Sequence, residues 1–134
     1  MKLVLDASVA VAAARSGEPS HASSRKRVSR VLAGEDQIIV PALFPIEVAA
    51  ALARAGEAPS AVRDYVDALC ATALSIATVG ARSARRIREV AIASRLRAAD
   101  AVYVWLAGKK GLPLCTLDEE VARRGPLFCS VMPP

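Results

Sequence analysis

The sequence predicts an α/β fold, a three-layer α/β/α sandwich built on a mainly parallel central sheet. Two observations carry this. Short runs of branched apolar residues alternate with longer stretches of helical period, the rhythm of a parallel sheet with crossover helices. The first run, Lys2-Leu3-Val4-Leu5, is apolar at consecutive positions, as a strand covered on both faces must be. At 134 residues the chain is one domain, 1–134, with room for a real core. Hydrophobic residues make up 54% and aromatics only 4%, so Ala, Val and Leu must build that core.

The elements follow in order. Lys2 to Leu5 is a strand. Ser8 to Ala14 has helical character and ends near Gly17 and Pro19. Ser20 can cap a second helix reaching Leu32, with Val28, Val31 and Leu32 on one face and Arg25, Lys26, Arg27 and Arg30 toward water. Gly34 terminates it, and Gln37 to Val40 is the next strand, bounded by Pro41. A helix runs from about Leu43 to Ala55 and stops at Gly56. Another starts at Pro59, keeping Val62, Val66, Leu69 and Cys70 in helical register. Leu74 to Val79 is read as a strand. Gly80 leads into a basic helix with Ile87, Val90 and Ala91 inward. Asp100 to Ala107 is apolar almost all round, which predicts a buried helix ending at Gly108. Pro113 to Thr116 is a strand, Glu119 to Arg124 a short helix, and Phe128 to Met132 an edge strand.

Composition narrows the function. No apolar run approaches the roughly 18 residues of a membrane span, and the start of the chain enters a strand without a signal-peptide pattern. The 3 cysteines, Cys70, Cys115 and Cys129, are scattered and never spaced as Cys-x-x-Cys. They are expected to be free thiols in a reducing cytoplasm rather than zinc ligands. Lys and Arg number 18 against 13 Asp and Glu, for a net charge of +5. A positive body suits a polyanionic partner, although a solvated Arg-rich surface would have the same composition.

Four acids stand in apolar surroundings. Asp6 ends the first strand, and Glu47 lies early in the helix Phe44-Pro45-Ile46-Glu47-Val48. Asp100 opens the most apolar helix, and Asp118 follows Leu114-Cys115-Thr116-Leu117. In a parallel sheet, residues just beyond the strand ends share a crevice at the topological switch point. Asp6 and Asp118 should both reach it, with Glu47 and Asp100 beside it. Four carboxylates together repel: two like charges ~5 Å apart at an effective dielectric near 20 cost about 3 kcal/mol. Oxygen donors in that number suit Mg²⁺ or Mn²⁺. Such ions can activate water against a phosphodiester. Ser8 and Thr116 each lie two residues from an acid and could hold a carboxylate in place, or serve merely as a helix cap and a strand-end turn.

These residues resemble the PIN domain, and within it the VapC toxins of bacterial toxin–antitoxin pairs. The resemblance rests on Val4-Leu5-Asp6-Ala7-Ser8, on Pro41 through Glu47-Val48-Ala49 with Ala51-Leu52, on Asp100-Ala101-Val102-Tyr103 with Leu106-Ala107, and on Leu114-Cys115-Thr116-Leu117-Asp118. The pieces come in the family's order and span nearly the whole chain. The resemblance implies an endonuclease for single-stranded RNA that uses Mg²⁺ or Mn²⁺. It also implies a homodimer, and an antitoxin wrapping over the site. Asp6 and Asp100 resemble the main metal ligands. Glu47 resembles the acid that completes a site or orients water, and Asp118 the fourth acid, supported by Thr116. Where many relatives carry a further Asp, this chain has Glu120.

Other residues weigh less. Arg82, Arg85, Arg86, Arg88, Arg95 and Arg97 precede Asp100 and form either an RNA phosphate track, centred on Arg85, Arg86 and Arg88, or a solvated face. Lys109 and Lys110 are expected to finish a helix. His21 is the only histidine and is expected at the surface, without support for a Ser–His–Asp triad. Tyr103 and Trp105 are expected in the core. Glu35, Asp36, Asp64, Asp67 and Glu89 are expected to be solvated. Among other functions, a catalytically inactive RNA- or protein-binding module is favoured by loss of an acid, and none is missing. A phosphotransfer enzyme with an aspartate nucleophile wants a second acid two residues after the first, where Ser8 stands. A receiver domain needs an acidic pair near the first strand, and Asp6 has no acidic neighbour.

Overall fold

Strand β1 (Lys2–Leu5) lies at the centre of the sheet, and its sequence explains why: Leu3, Val4 and Leu5 are fully shielded from solvent. The computed structural model describes residues 1–134. After β1 come α1 (Ala7–Ala14), α2 (His21–Leu32), β2 (Gln37–Pro41), α3 (Leu43–Arg54), α4 (Pro59–Thr72), β3 (Ser75–Ala77), α5 (Ala81–Ser94), α6 (Ala98–Lys110), β4 (Leu114–Cys115), α7 (Glu119–Arg124) and β5 (Val131–Met132). A 3₁₀ turn, Gly125–Leu127, joins α7 to β5. The sheet order is β3-β2-β1-β4-β5, and every neighbouring pair is parallel.

This order places the site. From β1 the chain steps outward to β2 and β3, then crosses back to β4 and β5 on the other side. Right-handed crossovers therefore put α1–α4 on one face and α5–α7 on the other, and the helices pack accordingly, α1 on α2 and α3, α5 on α6. The reversal falls between β1 and β4. Loops leaving their carboxyl ends diverge and open a crevice there.

Helix α6 is the main wedge of the core. Ala101 and Tyr103 to Ala107 are all buried, as the lack of a polar face predicts. It runs past Gly108, the expected end, to Gly111, which closes it in the left-handed conformation at φ 62°. Gly108 is a packing residue: a Cβ there would sit 2.8 Å from the Phe128 carbonyl oxygen. Lys109 and Lys110 complete the last turn, facing the negative helix end.

Other expectations are corrected. β3 spans three residues rather than Leu74 to Val79, because it is an edge strand that pairs only with β2. β4 lacks Pro113 and Thr116, and β5 begins at Val131, since Phe128 follows the 3₁₀ turn. Ser20 precedes α2 without a side-chain capping bond. His21 is half-buried, its Nδ1 2.9 Å from the Ala12 carbonyl. Asp36 is 1% exposed rather than solvated. Its carboxylate accepts bonds from Arg27 at 2.8 Å, Arg30 at 2.9 and 3.1 Å, and the Met1 amino group at 2.8 Å. A buried carboxylate needs such partners; the two arginines lie on α2, and the amino group begins the chain just before β1. Glu35, Asp64, Asp67 and Glu89 are exposed. The cysteines are free, and no helix is long and apolar enough to cross a membrane.

Candidate active site

Asp6 is the first residue beyond β1, and its backbone still belongs to the sheet, its N–H donating to the Cys115 carbonyl at 3.0 Å. Its carboxylate does not cap α1. Instead Oδ2 accepts two short bonds, from the hydroxyls of Ser8 and Thr116, each 2.6 Å. Those hydroxyls are themselves positioned by backbone: Ser8 Oγ accepts from the Leu117 N–H at 3.2 Å, Thr116 Oγ1 from the Asp118 N–H at 3.0 Å. The ends of β1 and β4 are thus laced together through one carboxylate. Asp6 is 8% exposed. Burial pushes its pKa up, the two hydroxyls pull it down, and the Asp118 charge pushes it up again.

Glu47 lies in the first half of α3, whose Pro45 occupies the first turn, where a missing N–H costs little. Its Oε2 accepts from the Tyr103 hydroxyl at 2.9 Å. Tyr103 is 2% exposed, core as expected, but its hydroxyl reaches the site. Burial raises the Glu47 pKa. Tyr103 opposes this, and the charges of Asp6 and Asp100 add to it.

Asp100 sits in the first turn of α6, where the helix dipole favours an anion. Asp118 caps α7, its Oδ1 accepting from the Val121 N–H at 3.0 Å. Arg97 joins them. Its Nε lies 3.3 Å from Asp100 Oδ2 and its Nη2 3.3 Å from Asp118 Oδ2. Burial raises the Asp100 pKa, as does Asp118; Arg97 lowers it; Asp6 adds a further rise. Asp6 and Asp100 therefore feel the charge of Asp118, and Glu47 feels those of Asp6 and Asp100.

The donor set fits a hard divalent cation in kind: oxygen only, with charges whose mutual repulsion a cation would relieve. As they stand, no three His, Cys, Asp or Glu side chains converge closely enough to hold an ion. Arg97 stands between two of the acids, and the Asp118 Oδ1 is committed to a helix cap.

Glu120 turns away from the cluster and pairs with Arg123 and Arg124. Arg85, Arg86 and Arg88 are exposed on α5. α5 runs antiparallel to α6, since Arg86 and Lys109 line one cleft together with Val90, Val104 and Trp105. The α5 arginines therefore lead away from Asp100, and Arg97 is the arginine that meets the acids. Tyr103 and Arg97 are the site residues that sequence reasoning undervalued. For Arg97 the signal was its spacing of three before Asp100, one helical turn.

The family model for the PIN domain matches residues 3–125. The chain belongs to the PIN domain family. Its fold resembles that of VapBC2 from Rickettsia felis, crystallised bound to a DNA fragment from its promoter. The TM-score is 0.73 and the identity 12%, over 100% of this chain and 99% of that one. It also resembles PAE2754 from Pyrobaculum aerophilum, with TM-score 0.70 and 20% identity over 99% of this chain and 92% of that one. None of the curated proteins matches the sequence.

Proposed function

We propose that this protein is a Mg²⁺- or Mn²⁺-dependent endoribonuclease that cuts single-stranded regions of RNA and acts as the toxin of a toxin–antitoxin pair. The observation that carries the reading is that Asp6 and Asp118, just beyond β1 and β4, are linked through Thr116, while Arg97 ties Asp118 to Asp100 and Tyr103 of the same helix holds Glu47. PIN family membership and the likeness to VapBC2 support it. Asp6 and Asp100 would be the main ligands, with Glu47 and Asp118 completing the set. Bound Mg²⁺ or Mn²⁺ would supply Lewis-acid polarisation of the phosphodiester and activation of water.

The chain's own residues do the rest. Ser8 and Thr116 both hold Asp6 Oδ2, so the deepest acid keeps one orientation. Tyr103 aims Glu47. Held by Tyr103 and facing Asp6 and Asp100, Glu47 would complete the site or orient the attacking water. The exposed Arg85, Arg86 and Arg88 would hold RNA phosphates.

The partner reading has its own support. A groove of about 280 Å³ between α1, α3 and α4 is lined by Ala14, Leu52, Ala61, Val62 and Tyr65. Ile46, 64% exposed, lies on α3 next to Glu47. An antitoxin helix could lay apolar side chains in this groove and send a basic residue among the acids. The protein is read as a cytoplasmic homodimer. The alternative, an inactive PIN-fold binding module, is disfavoured by the presence of all four acids.

The test is cleavage of RNA by the purified protein with Mg²⁺ or Mn²⁺, and its arrest by a chelator. Water attack should leave 5′-phosphate and 3′-hydroxyl ends. Sequencing RNA ends after brief expression without antitoxin should reveal the target. Chelator-resistant cutting, or a 2′,3′-cyclic phosphate product, would overturn the mechanism.

A further inference from the structure

We propose that Arg97, which pairs with Asp100 and Asp118, competes with metal for these two acids and turns to the RNA phosphate when metal binds. The idea rests on the metal-dependent nuclease reading above and adds a regulator to that same site. Arg97 is the last residue before α6, in extended backbone at φ −64° and ψ 157°. Its side chain is 80% exposed, while those of Asp100 and Asp118 are 16% and 23% exposed. The guanidinium therefore lies on the solvent side of both carboxylates, at the mouth any RNA phosphate must approach.

The strength of its contacts is what makes exchange possible. Both are 3.3 Å, beyond the usual range for a good N–H···O bond. Both are open to water, where such pairs are weak. The contrast with Asp6, locked by two 2.6 Å bonds, and with Asp36, sealed among cations at 2.8 Å, is internal to the molecule. Arg97 neutralises its two acids without sealing them. A divalent ion held by Asp100 and Asp118 would compete with it for their carboxylates. Once displaced, a guanidinium fork beside the cluster is geometrically suited to two oxygens of one phosphate.

The alternative role is purely structural, with Arg97 holding Asp118 in place for the ion. The two roles predict opposite signs. If Arg97 competes with metal, its loss tightens metal binding; if it only organises ligands, its loss weakens it.

The experiment uses the full chain, stripped of metal with a chelator and titrated with Mn²⁺ by calorimetry in the absence of RNA. Arg97→Gln should bind Mn²⁺ about three- to tenfold tighter, the scale of two exposed ion pairs. Arg97→Lys keeps the charge but loses the fork, and should fall between. Arg95→Gln, which removes a nearby exposed charge with no such contact, should shift the affinity less than about twofold. In saturating Mn²⁺, Arg97→Gln should cleave RNA at least about tenfold more slowly. Unchanged or weaker Mn²⁺ binding by Arg97→Gln overturns the exchange, as does a wild-type protein that binds no Mn²⁺. Undiminished cleavage by Arg97→Gln overturns the turn to phosphate. A wild-type protein that binds Mn²⁺ yet cuts no RNA sinks the nuclease reading and the phosphate step with it, while the titration alone still decides whether Arg97 competes.

Discussion

Thr116→Val tests the lacing that holds Asp6. Valine matches threonine in shape and removes only the hydroxyl. Thr116 is 4% exposed, so water cannot readily replace what is lost. Two bonds disappear: the 2.6 Å donation to Asp6 Oδ2 and the 3.0 Å acceptance from the Asp118 N–H. A hydrogen bond to a charged group contributes about 1.5–3 kcal/mol and a neutral one about 1, so the expected loss is about 3 kcal/mol. At roughly 3–4 °C per kcal/mol for a chain of this size, Tm should drop by about 10 °C. The loss should also depend on pH. The hydroxyl favours the ionised carboxylate and opposes the rise that burial imposes on the Asp6 pKa. Its contribution is therefore full above the folded pKa of Asp6 and fades as acid protonates that group. Urea unfolding in chelator, repeated in steps from about pH 8.5 downward, should show a penalty that shrinks as Asp6 takes up its proton. A penalty below about 0.5 kcal/mol, the range of an indifferent surface change, or one that grows as the pH falls, would refute the reasoning.

Asp6→Asn and Asp100→Asn should each lower RNA cleavage by orders of magnitude while circular dichroism shows an intact fold. Their metal-free stability should hold or rise, because like-charge repulsion is relieved; unfolding of either variant in chelator would make that acid structural. Asp6, Glu47 and Asp100 all have raised pKa values, so the folded state binds extra protons above the usual carboxylate range. Metal-free stability should accordingly fall as pH rises from about 4 through those raised values, with a shallower slope in Asp6→Asn, read by urea midpoints. Asp36 has the opposite sign. Arg30 holds its carboxyl well below the usual range, so its contribution is full above about pH 4 and is lost as pH falls toward the folded value. Asp36→Asn leaves Arg27 without its counter-charge and should cost about 3 kcal/mol near neutrality, a gap that closes in strong acid. Replacing Arg85, Arg86 and Arg88 together with Gln should weaken RNA binding and flatten its salt dependence while leaving Mn²⁺ affinity nearly unchanged; an unaltered salt slope would mean the α5 face is only solvated.

The sheet and its helices were legible because their signal is periodic and local: consecutive apolar residues at Leu3 to Leu5, and the unbroken apolar surface of α6. The edges were less legible. Leu74 and Val79 have strand-like side chains, but a strand's length depends on how far its neighbour runs, and β3 has only β2. Gly108 reads as a helix stop until Phe128, twenty residues later in the chain, is seen to need the space. Asp36 was misread for the same reason: its burial is set by Arg27 and Arg30, whose turn toward it is tertiary. For the acids, sequence showed which carboxylates follow strand ends. It could not show the donors that each would meet, because Thr116 reaches Asp6 across 110 residues and Tyr103 reaches Glu47 across 56.

Those donors temper the repulsion within the cluster. Each acid has at least one partner from the chain itself: two hydroxyls for Asp6, Tyr103 for Glu47, Arg97 for Asp100, and both Arg97 and the α7 N-terminus for Asp118. The repulsion that four bare carboxylates would suffer is thereby spread over donors of very different firmness. The Asp6 bonds are short and buried, so that carboxylate is a preorganised anchor that metal binding need not rearrange. The Arg97 bonds are long and wet, so on the proposed reading Asp100 and Asp118 would give them up to an ion at little cost. Metal affinity then equals the attraction of the acids less the free energy of the donors displaced. On the proposed exchange, the firm donors would remain in place while only the weak one leaves, so the crevice would be stable without metal and still bind it. A site whose four acids were all held as tightly as Asp6 would fold as well but would resist its ion, and one with no Arg97 would bind the ion more readily and fold less surely when metal is scarce.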